Sequence, residues 1–143
     1  MGSPIHSLEA TYIVHATEDV DKIQGAIERV IGAPVRSELE HLEGHFGNAI
    51  VRGKVVVAGE STSAAFKSLL AKMSPELFME VKDNLGTYID EHSSLFLRLD
   101  KQALVSGSLA MGSADPIRIK VKPRPFLAKG RAPAFFRGLM EGI

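Results

Sequence analysis

The chain has 143 residues, 45% of them apolar, and its 17 Lys and Arg are balanced by 17 Asp and Glu. It contains no cysteine, which excludes disulfides and thiolate metal sites, and no uninterrupted apolar run of about 18 residues of the kind that crosses a bilayer. That size fits one compact domain, and the absence of a basic, apolar leader at the start adds the expectation of a soluble, cytoplasmic protein with no membrane partner.

The elements follow in order. From Leu8 to Ala16 the even positions read Leu, Ala, Tyr, Val, Ala, which predicts a strand with one apolar face. Thr17 then stands as an N-cap, with Glu18, Asp19 and Asp21 suited to the positive end of a helix dipole. Val20, Ile23, Ile27 and Val30 recur along one helical face, and Gly32 with Pro34 provides the stop. Val35 to Glu43 and Ile50 to Ala58 read as two strands of a hairpin, joined through the glycine-punctuated turn Gly44 to Asn48. Val55-Val56-Val57 within the second suggests a strand covered on both faces.

Ser61 to Ser63 offer caps for a helix carrying Phe66, Leu69, Leu70 and Met73. Ser74-Pro75 restarts a shorter one through Leu77, Phe78 and Val81, ending near Gly86. Leu95 to Leu99 is a strand, after which Asp100 caps a single turn over Lys101 to Val105, and a short strand is expected from Ser108 to Met111. Asp115-Pro116 marks a turn before a last strand, which Pro123 and Pro125 end. This order describes a two-layer α+β domain over residues 1–125, with helices packed on one face of a mainly antiparallel sheet and the other face open. Residues 126–143 form a basic and apolar C-terminal extension, in which Phe135 and Phe136 pack on the domain or, alternatively, dock a partner or a second copy in a homo-oligomer.

The neutral total conceals a partition of charge. Residues 1–116 hold 10 Lys and Arg against 16 Asp and Glu, a net of −6, whereas residues 117–143 hold 7 against 1, a net of +6. The basic part opens with the alternation Ile117-Arg118-Ile119-Lys120-Val121-Lys122. As a strand it buries Ile117, Ile119 and Val121 and presents Arg118, Lys120 and Lys122 on one side, about 6.6 Å apart, so that each can meet its own phosphate. The alternative is the solvated face of an edge strand, where cations discourage aggregation. Positive charge continues through Arg124, Lys129, Arg131 and Arg137.

Signals for other chemistry are sparse. His41 and His45 with Glu43 between them make H-x-E-x-H, which is not a helical zinc motif because Gly44 stands inside it. Asp90-Glu91-His92 with Asp100 could serve proton transfer, yet fixes no nucleophile, base and orienting group together. Glycine-rich phosphate loops are absent, and no cofactor is implied.

Several segments carry a resemblance: Ile5-His6-Ser7, His15-Ala16-Thr17-Glu18-Asp19, Glu43 to Asn48, and above all Leu95-Phe96-Leu97-Arg98-Leu99-Asp100-Lys101-Gln102 with Asp115-Pro116-Ile117. From about residue 5 to 122 the chain resembles an archaeal family of RNA-binding proteins described as exosome subunits. The resemblance implies an α+β fold like that of a ribosomal protein that binds 5S RNA, itself likened to double-stranded RNA-binding domains. It also implies a non-catalytic role near RNA processing or the translation machinery, with RNA and exosome subunits as partners.

The leading expectation is therefore a protein that contacts the backbone of structured RNA through Arg118, Lys120, Lys122 and Arg124, with Arg98 and Lys101 extending the surface. Few exposed aromatics favour structured RNA over single strands. A protein-interaction module is the alternative, and a metal-dependent hydrolase centred on His41 and His45 a third.

Overall fold

The strand and helix patterns assemble around one sheet. The computed structural model describes residues 3–44, 46–124 and 130–142. Its elements are β1 (Ile5–His15), α1 (Val20–Ile31), β2 (Arg36–Glu43), β3 (Ala49–Ala58), α2 (Thr62–Ala71), α3 (Pro75–Asp83), α4 (Leu85–Tyr88), β4 (Leu95–Leu99), α5 (Lys101–Val105), β5 (Ile117–Pro123) and α6 (Ala132–Glu141). All pairings are antiparallel, in the order β2-β3-β1-β5-β4. The α+β class expected from the element order is the class observed.

The sheet buries one parity of each central strand. Leu8, Ala10, Tyr12 and Val14 of β1 join Val55 and Val57 of β3, Leu95, Leu97 and Leu99 of β4, and Ile117, Ile119 and Val121 of β5 in one core. Onto it α1 packs Ile23, Ala26, Ile27, Val30 and Ile31, and α2 packs Ala65, Phe66, Leu69 and Leu70. The C-terminal helix belongs to the same core: Ala132, Phe136 and Met140 are buried, and the Phe136 ring meets Phe66 edge-on with centroids 6.2 Å apart. Phe136 is thus unavailable for docking, as its apolar spacing had suggested.

Several local expectations change. Asp19, not Thr17, caps α1, its carboxylate accepting from the Asp21 and Lys22 N–H groups; residues 15–18 form a turn instead, closed by the Glu18 N–H on the His15 carbonyl. Ser61 makes no side-chain cap bond, whereas Ser74 caps α3 and Asp100 caps α5 as anticipated. Residues 108–111 form no strand and contribute only single bridges, Leu109 to Met73 and Met111 to Leu99.

Tyr12 of β1 lies directly across from Gly53 of β3, and a Cβ added at Gly53 would stand 2.1 Å from the ring. Only glycine leaves room for that aromatic. The Tyr12 hydroxyl reaches over to donate to Gln24 on α1 at 3.2 Å, and burial, reinforced by the nearby Glu28 charge, raises its pKa above the ordinary 10.0.

Candidate nucleic-acid interface

The last strand of the sequence is not last in the sheet. β5 lies between β1 and β4, hydrogen-bonded on both sides. Its cations are therefore not guards of a sheet edge, which overturns the edge-strand alternative. Ile117, Ile119 and Val121 are buried, so the pleat sends Arg118, Lys120 and Lys122 to the face that no helix covers.

Register extends this row sideways. Arg118 lies opposite Thr11 of β1 and Arg98 of β4, and Lys120 opposite Glu9 and Phe96. On the other side of β1, Lys54 is opposite Thr11 and Arg52 opposite Ile13, while β2 adds Arg36, Glu38 and Glu40 against β3. Among the described residues, these strands set seven cations on the open face, Arg36, Arg52, Lys54, Arg98, Arg118, Lys120 and Lys122, against three carboxylates, Glu9, Glu38 and Glu40. Of these, Arg36, Arg52 and Lys54 were missed in the sequence. Their signal was the shared parity of Arg52 and Lys54 in β3, blurred by the valine run that follows.

The carboxylates are unevenly placed. Glu9, largely covered, stands 3.9 Å from the Lys54 ammonium and 3.8 Å from that of Lys122, so one anion is shared between two cations. Glu38 and Glu40 face Arg36 and Arg52 at 3.9 and 3.8 Å. Among the described residues no carboxylate lies within ion-pair distance of Arg98, Arg118, Lys120 or Arg124, and Lys120 instead rests 5.2 Å above the Phe96 ring centroid. On this face the cations without a carboxylate partner are thus Arg118 and Lys120 of β5, Arg98 of β4 and Arg124 just beyond. A hollow of about 510 Å³ separates Arg118 from Arg52, lined also by Thr11 and Ile13. Arg124 is exposed just past β5, with its N–H donating to the Pro4 carbonyl at 3.1 Å. Lys129 lies outside the described residues.

Lys101 must be removed from this surface. It is the first residue of α5, and the helix turns its side chain inward until only 5% of it is exposed. There the ammonium donates to the Ile13 carbonyl at 2.6 Å and to both oxygens of Glu18 at 3.0 and 3.3 Å, and it pairs closely with Asp115, which also meets His15 at 2.9 Å. His15, Glu18 and Asp115 offer ligand atoms within 4.8 Å of one another, the one such trio among the described residues. The Lys101 ammonium already supplies the positive charge that a metal would bring.

Of the remaining candidates for chemistry, His92 meets Glu91 at 3.5 Å on the exposed surface. His41 is exposed on β2, and His45 lies outside the described residues, so the H-x-E-x-H pair is not described as a unit. Asp90 accepts from the His92 and Ser94 N–H groups, and Asp100 from that of Ala103, so both carboxylates hold backbone turns.

A protein-family model described as RNA binding matches residues 7–123, from β1 to the last residue of β5. The chain belongs to this RNA-binding family. The match takes in Arg98, Arg118, Lys120 and Lys122 and stops before Arg124 and α6. Uncharacterized protein MJ0213 of Methanocaldococcus jannaschii is 32% identical over 120 residues, covering 79% of this chain and 80% of that protein. RNA-binding protein PAB1135 of Pyrococcus abyssi is 28% identical over 137 residues, covering 89% and 87%. Among solved structures, Mth689, a DUF54 protein from Methanothermobacter thermautotrophicus, superposes with a TM-score of 0.72 at 30% identity, covering 95% of this chain and 98% of that one. No helix among the described residues is long and apolar enough to cross a membrane.

Proposed function

We propose that the open sheet face binds the phosphate backbone of structured RNA without catalysing a reaction on it, and that the protein acts in the cytoplasm as an accessory of the RNA exosome or of the translation machinery. The carrying observation is the cross-strand placement of Arg98 and Arg118, opposite one another on β4 and β5 with no carboxylate paired to either among the described residues. A sheet-borne row of unneutralised cations suits a polyanion that lies across several strands. Contacts of this kind position RNA without reading its bases, so sequence specificity is low. The accessory role rests on the resemblance of the Leu97 to Gln102 segment.

The test is RNA affinity against salt. Each lost phosphate contact flattens the log–log slope by about 1, so Arg118→Ala and Lys120→Ala should each do so. An unchanged slope in both variants would remove β5 from the interface. A protein partner, the second reading, is favoured by β2, a sheet edge along which every residue except Leu42 is exposed and Leu39 is 46% exposed. A complex that survives nuclease treatment and is lost on Leu39→Asp would support that use of the edge.

A further inference from the structure

Phe96 places an aromatic ring on the open face, where the Lys120 ammonium rests above it. It alternates with buried Leu95 and Leu97, stands 36% exposed, and adds nothing to the core. Beside it the chain leaves an open hollow of about 710 Å³, lined by Tyr88, Ile89, Phe96, Arg98, Met111 and Ser113 among others. That volume lies within the range of small-molecule sites, about 300–1,000 Å³. Met111, 37% exposed, brings a second large apolar side chain to the same wall. Lys120 touches the Phe96 ring but does not line the hollow, so its ammonium leaves that space free.

The hollow therefore combines an exposed ring, an adaptable thioether and a guanidinium with one carboxylate, Asp90, which accepts from the His92 and Ser94 N–H groups, and it opens at the end of the Arg118 and Arg98 row. An aromatic platform beside backbone-binding cations is the arrangement that holds an unstacked nucleobase, since every base has a π-face and its own phosphate nearby. We infer that the hollow takes one unpaired base of the RNA whose phosphates lie on β5, stacked on Phe96 against Met111, with Arg98 on the adjoining phosphate. This rests on the backbone-binding reading above and narrows it: the preferred RNA is a helix interrupted by a bulge, loop or overhang, not an unbroken duplex.

The experiment compares a blunt RNA duplex of about 16 base pairs with the same duplex carrying one bulged adenine. Wild type should bind the bulged RNA about tenfold more tightly, within the range of single-base stacking. Phe96→Ala should erase that preference. Because the chain has no tryptophan, a Phe96→Trp variant gives a single reporter whose emission should be quenched by the bulged RNA and not by the blunt one at equal occupancy. Equal affinity of the wild type for both RNAs, or a preference that survives Phe96→Ala, overturns the base pocket and leaves the backbone reading standing. Failure to bind either RNA overturns both.

Discussion

Lys101 and Lys120 are lysines of one small domain, each near the start or middle of a short regular element, and they do opposite work. Lys101 is enclosed by Glu18, Asp115 and the Ile13 carbonyl, whereas Lys120 rests on an aromatic ring at the surface with no carboxylate in ion-pair reach. The buried one ties the end of β1, the turn before α1 and the loop before β5 to α5. The half-buried one keeps its ammonium free of any carboxylate partner among the described residues. The sign of a charge does not mark a binding residue; what matters is whether its neighbours have already answered it.

Substitutions should pull these two regions apart. The largest effect is expected from Lys101→Met, which leaves two carboxylates facing each other without their cation. Removing one partner of a buried pair costs about 3–5 kcal/mol, and because Asp115 is 39% exposed a loss nearer about 2–3 kcal/mol is expected. Denaturant unfolding measures it, and the salt slope of RNA binding should stay at the wild-type value. Asp115→Asn should cost less, about 1 kcal/mol, since Glu18 still holds the ammonium on two oxygens. Arg118→Ala should reverse the pattern, with stability within about 0.5 kcal/mol of wild type and a flatter dependence of RNA affinity on salt. The smallest effect is the most discriminating: Glu9→Gln frees Lys54 and Lys122 from their shared anion and should strengthen RNA binding several-fold at low salt, with a slope steeper by up to about 1. Weaker binding by this variant would show that Glu9 orients the two lysines.

The sheet's open face was legible wherever side-chain parity was clean. β5 alternates without interruption, so Arg118, Lys120 and Lys122 could be placed together before any pairing was known. Parity also put Phe96 beside Arg98, but a single phenylalanine in an apolar strand reads as core unless its neighbours are known to be buried on the opposite side. Strand order was not legible, because it depends on which edges meet in space; the sequence alone left β5 free to be an edge. Lys101 was misread for a related reason. It follows Arg98 by three residues, yet between them the chain leaves β4 and enters α5, and that change of direction turns one side chain outward and the next inward. The acids that receive it, Glu18 and Asp115, are 83 and 14 residues away in sequence, beyond the reach of any local pattern.

The notch at Gly53 has a consequence for where charge falls. Side chains of a strand switch faces if its pairing slips by one position, and the Tyr12 ring can lie across β3 only at the residue lacking a Cβ. A shift either way would drive the ring into Arg52 or Lys54 and turn those cations toward the interior. One absent methyl group thus acts as an alignment key, holding Arg52 and Lys54 on the side that no helix covers.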